Sequence, residues 1–148
     1  MKSRVQLSFI LALAALAACE TKPAPAPQAA APAAAPGAPI TPCPTCKVIV
    51  IGMTTTETGN FFDPKDVEAH EGDVLRFKLN VGVHNANFLP DSNPGKPNLP
   101  PATALLQLPG QTADILLNFG TGNFYFQCDA HAALGMRGHL KVEKKESE

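Results

Sequence analysis

From residue 43 onward, apolar positions come in short runs broken by Gly, Pro, Asn and Asp, and no stretch keeps a helical period. The runs predict strands at 47–53, 66–70, 74–79, 83–88, 112–119, 123–128 and 138–143. Between them, Glu71-Gly72-Asp73, Pro109-Gly110 and Gly120-Thr121-Gly122 supply turn conformations that other residues reach only with strain. Seven strands in about 100 residues predict an all-β domain built as a β-sandwich.

Side chains two apart on a strand share a face, so Phe124, Phe126 and Cys128 point one way, and Leu140 and Val142 mark the inward face of the last strand. Cys128 is therefore expected in the core. The same parity groups His84 with Ala86 and Phe88, which turns His84 inward as well. Residues 89–101 carry five prolines and a glycine and read as a surface loop. The charged residues 143–148 have no apolar face and read as a solvated tail.

The N-terminal third has a different texture. Lys2 and Arg4 precede an apolar run, Val5 to Ala18, which reads as an export signal too short to span a bilayer. The run Leu16-Ala17-Ala18-Cys19 is similar to a bacterial lipobox, so Cys19 is expected to be lipidated and to become the mature N-terminus. Cleavage without a lipid is the plain alternative. Residues 20–42 are nearly all Ala and Pro and form an extended linker without a core. The expected organisation is a signal at 1–18, a linker at 19–42 tethered through Cys19, one domain at 43–145 and a tail at 146–148. Removing 1–18 leaves 10 basic against 13 acidic side chains, which argues against nucleic acid as a partner.

The chemistry concentrates near the C-terminus. Cys128-Asp129-Ala130-His131-Ala132-Ala133-Leu134-Gly135-Met136 sets a cysteine, a histidine and a methionine at a Cys-x2-His-x4-Met spacing between two predicted strands. Together with His84, these residues offer two imidazoles, a thiolate and a thioether, the donor set of electron-transfer copper, because soft sulfur suits Cu(I) while imidazole serves both oxidation states. A structural zinc site has no use for the thioether. Taken one at a time the four have ordinary readings as a buried thiol, a core histidine, a surface histidine and a gap-filling methionine. Their joint placement is what points to a metal.

Through His84-Asn85-Ala86-Asn87-Phe88, Leu108-Pro109-Gly110-Gln111-Thr112, Phe124-Tyr125-Phe126-Gln127-Cys128 and the loop to Gly138, the chain resembles the plastocyanin-like cupredoxins. The resemblance implies a Greek-key sandwich of about seven to eight strands, one type 1 copper ion held by His84, Cys128, His131 and Met136, electron passage through the exposed edge of His131, and no substrate chemistry. By the same likeness Asn85 braces the ligand loop. Two departures stand out. Gln127 precedes Cys128 where plant plastocyanins carry tyrosine, and Ala130 precedes His131 where many relatives carry proline. Ala130 keeps a backbone N–H that is expected to donate to the Cys128 sulfur and raise the reduction potential.

Cys43-Pro44-Thr45-Cys46 precedes the first strand and reads as a disulfide staple in an oxidising compartment; a thioredoxin-like role would need a helix where strand residues follow. Free thiols or a second copper site are the other readings. His70 and His139 read as solvated. The expectation is a monomeric electron carrier of the bacterial cell envelope or periplasm, lipid-anchored to a membrane, passing single electrons between protein donor and acceptor. The alternatives are a copper module for storage, delivery or tolerance, and a copper enzyme, for which four histidines are too few.

Overall fold

Arg137–Glu143 alternates exposed and buried residues without a break, so Gly138, Leu140 and Val142 face the core while the charged side chains face water. This is strand β7 of a computed structural model that describes residues 40–146. The signal and most of the linker, Cys19 included, lie outside the described residues.

The other strands are β1 (Val48–Thr56), β2 (Gly59–Asp63), β3 (Asp66–His70), β4 (Val74–Val81), β5 (Thr112–Leu116) and β6 (Gly122–Gln127). They form two sheets, one ordered β2-β1-β4-β5 and one ordered β3-β7-β6. β1 runs parallel to β4 and β3 parallel to β7, while the remaining pairs are antiparallel. The parallel pairs form because the chain crosses between the two sheets before it returns. Seven strands in two sheets with no α-helix among the described residues make the fold all-β, as the apolar pattern predicts.

The inner faces interdigitate. Ile51, Met53, Leu75, Phe77 and Leu79 from one sheet meet Val67, Phe124, Phe126, Leu140 and Val142 from the other, all buried. Phe126 is the hub, its ring centroid lying 5.0 Å from Phe62, 5.5 Å from Phe77 and 5.4 Å from Phe88. A Cβ at Gly138 would run into the Phe126 ring, so the glycine on β7 makes room for the aromatic beneath the candidate site.

Two expectations need correction. Residues 83–88 do not form a strand; their ladder contacts are isolated bridges, His84 with Leu106 and Asn87 with Gln127. The reason is that Asn85 and Asn87 use their side chains to bind Asp129, which bends the segment away from a regular ladder. β2 is a strand that the pattern does not announce, because Phe62 is its one buried residue. The loop after Phe88 contains a short 3-10 turn at Pro90–Ser92.

Candidate metal centre

His84, Cys128, His131 and Met136 reach one end of the sandwich from three places. His84 follows β4, with its backbone held to Leu106 by N–H···O bonds of 3.1 and 2.8 Å in the two directions. Cys128 follows β6 in phase with Phe124 and Phe126, so its sulfur is fully buried. The loop beyond it closes on itself. Cys128 N–H donates to the Met136 carbonyl at 3.2 Å, His131 N–H to the Cys128 carbonyl at 3.1 Å, and Met136 N–H to the His131 carbonyl at 3.1 Å. A 3-10 turn at Ala132–Leu134 ends at Gly135, whose φ of 93° lies in the left-handed region that glycine reaches without strain.

The ligand atoms of His84, Cys128 and His131 all lie within 4.8 Å of one another. His84 Nδ1 is 3.1 Å from His131 Nδ1, and Cys128 Sγ is 3.8 Å from the first and 3.4 Å from the second. Met136 is fully buried, and its backbone carbonyl is bonded to Cys128. His131 is partly exposed and is the member of the set nearest solvent.

The tautomer of His84 follows from its outer nitrogen. Nε2 is 3.1 Å from the Val81 carbonyl, which can only accept, so Nε2 carries the proton and Nδ1 turns a lone pair into the cluster. Thr55 Oγ1 lies 3.1 Å from the same Nε2, and because the Thr55 hydroxyl donates to Asn60 Oδ1 at 2.7 Å, it too acts as an acceptor there. Gly82 permits this approach, since a Cβ at that position would collide with Thr55 Oγ1 and lie 2.7 Å from His84 Nε2. Burial holds the His84 imidazole below its ordinary pKa, the neighbouring His131 pushes it the same way, and the Val81 carbonyl partly opposes them. A lowered pKa keeps the ring neutral and its lone pair free.

Two imidazole nitrogens and a thiol, crowded together at a largely buried point with no carboxylate among them, form an electron-rich cluster that fits a soft or borderline cation such as copper. The loop is braced from outside. Asn85 Nδ2 donates to Asp129 Oδ2 at 2.7 Å and Asp129 N–H returns a bond of 2.9 Å to Asn85 Oδ1, while Asn87 Nδ2 donates to Asp129 Oδ1 at 2.9 Å. Sulfur contacts run from Cys128 to the two imidazoles. His139 pairs with Asp66 on the outer face, and His70 sits near Asp73 and Glu143, both away from the cluster.

Sequence reading passes over Thr55, Asn60, Gly82, the Val81 carbonyl and Asp129. Thr55 and Asn60 carry no motif, and their role appears only once the β1–β2 hairpin is folded over His84.

The chain is similar to known proteins in sequence and in fold. Chloroplastic plastocyanins of Oryza sativa subsp. indica and Hordeum vulgare are each 32% identical to the chain over 84 residues. The match takes in 55% of this chain and 54% of each plastocyanin, so the chain spans about half the length of these relatives. In fold it is similar to the Cu(I) form of an amicyanin variant, with a TM-score of 0.51 and 16% identity over 65% of this chain and 82% of that one. Residues 50–143 match the family described as copper binding proteins, plastocyanin/azurin family. With nearly the whole sandwich inside that match, the chain belongs to the plastocyanin/azurin family of copper-binding proteins.

Proposed function

We propose that this protein is a type 1 copper protein that carries single electrons between larger redox proteins in a bacterial cell envelope. Members of its family are in general electron carriers and not enzymes. The observation that carries the reading is the buried convergence of His84 Nδ1, His131 Nδ1 and Cys128 Sγ within 4.8 Å. In this reading those three atoms, with the Met136 thioether, would hold one copper ion. Copper bound there would supply a one-electron couple.

The chain's own residues do the rest. Val81 and Thr55 hold the His84 ring in the tautomer that presents Nδ1. Asn85, Asn87 and Asp129 hold the ligand loop so that its shape changes little between oxidation states, which keeps the barrier to electron transfer low. The core side of the site excludes water, because His84, Cys128 and Met136 are fully buried. The partly exposed His131 edge is the place where a partner's cofactor comes closest.

The domain at 43–145 would hang from a lipid on Cys19 by the Ala/Pro-rich linker and work as a monomer. Cu(II) titrated into the purified protein tests the assignment. An intense visible band from thiolate-to-copper charge transfer is expected in the unmutated protein and not in Cys128→Ser. A colourless Cu(II) complex of the unmutated protein sinks the reading.

A further inference from the structure

The segment that leads into β1 carries a second pair of sulfurs. Cys43 and Cys46 are joined as a disulfide across a turn closed by Cys46 N–H donating to the Cys43 carbonyl at 2.9 Å. The two sulfurs are not equivalent. Cys46 is half-buried and packs on Gly72, where an added Cβ would come within 3.0 Å of Sγ, whereas Cys43 is exposed.

Lys145, two residues beyond β7, covers the turn. Its Nζ donates to the Thr45 carbonyl at 2.7 Å and to Thr45 Oγ1 at 2.9 Å, and lies 3.4 Å from Cys46 Sγ and 3.8 Å from Cys43 Sγ. Two of the nearby carboxylates are engaged elsewhere. Asp73 accepts from the N–H groups of Lys47 and His70, and Glu143 pairs with Lys141 at 2.8 Å. A neutral disulfide gains little from an ammonium group at 3.4 Å. A thiolate gains a great deal.

We infer that Cys43–Cys46 is a thiol-exchange site, with Lys145 placed to stabilise the Cys46 thiolate released when the bond opens. The thiolate of an incoming dithiol, small or protein-borne, attacks the exposed Cys43 Sγ. A sulfur–sulfur bond forms to Cys43, the Cys43–Cys46 bond breaks, and its electron pair stays on Cys46 Sγ facing the ammonium. The second thiolate of the dithiol then attacks the sulfur bound to Cys43, which oxidises the dithiol to its own disulfide and releases Cys43. Two electrons and two protons pass from the dithiol to the pair. The site stands apart from the candidate metal centre, because Cys46 lies just ahead of the first residue of β1 and Thr55, which contacts His84, is near its last.

The test treats the copper-loaded full chain with 2-mercaptoethanol, an uncharged thiol that Lys145 does not attract, then quenches with iodoacetamide and maps adducts by mass spectrometry. The mercaptoethanol adduct is expected on Cys43 and the alkyl group on Cys46. Lys145→Gln is expected to slow reduction about fivefold, because a leaving thiol of higher pKa departs more slowly, while Lys145→Arg keeps the rate. An unchanged visible spectrum in both variants reports that the fold is intact. A disulfide that resists the thiol while the protein stays folded, an adduct on Cys46, or equal rates in Lys145→Gln and the unmutated protein overturns the proposal.

Discussion

The two ends of the sandwich are held in opposite ways. At the His84 end the decisive bonds join residues far apart in sequence, 29 positions between Thr55 and His84 and 44 between Asn85 and Asp129. At the Cys43 end the staple spans a separation of three, and a single lysine arrives from the far end of the chain. Long-range bonds lend the candidate metal centre the stiffness of the whole fold, because loosening it means separating β1, β4 and β6 together. A local staple can open while the sheets stay paired.

Breaking the first arrangement should cost most. Gly82→Ala puts a Cβ against Thr55 Oγ1 and His84 Nε2 at a residue whose φ is 101°. The expected outcome, checked by competitive titration against a chelator and by thermal unfolding, is a large loss of copper affinity together with lowered stability.

Breaking the second should cost less and leave the metal end alone. Cys43→Ser with Cys46→Ser removes a closed loop of only a few residues, for which chain entropy gives about 2 kcal/mol at most. Denaturant titration should report a loss of that size or smaller, with an unshifted visible spectrum. A shifted spectrum would mean that the two ends are coupled, and the contrast drawn above would fail.

The smallest effect is one of pH. Asp114 accepts from Arg76 Nε at 2.8 Å and Nη2 at 2.7 Å and from the Ile40 N–H at 2.7 Å, and the Arg76 bond above all lowers its pKa. A carboxylate whose pKa is lower folded than unfolded stabilises the fold above its ordinary pKa, and that contribution fades as pH falls through the lowered value. Asp114→Asn should therefore be less stable at neutral pH yet lose less on acidification, as measured by melting temperature across a pH series.

Much of this was legible in the residues. The alternation of 138–143 and the shared parity of Phe124, Phe126 and Cys128 match burial in the structure. The Cys128 to Met136 spacing brings its cysteine and histidine close because a short loop between two strands has few ways to close. His84 is buried as its parity with Ala86 and Phe88 suggests, yet the strand reading behind that parity does not hold, since Asn85 is buried as well. Alternation cannot distinguish a strand from a segment pinned by side chains. The Thr55 and Asn60 relay was not legible at all, because a threonine and an asparagine in a hairpin look like turn chemistry until the histidine they serve lies beside them.

The reach of Lys145 across the Cys43–Cys46 turn has a practical consequence. It shows that the chain enters and leaves the domain side by side, at the end remote from His131. The residues that flank the domain on either side can then serve as handles. Fixed to an electrode or fused to a second protein by one of them, the domain would hold the His131 edge outward, where an incoming cofactor meets neither support nor fusion.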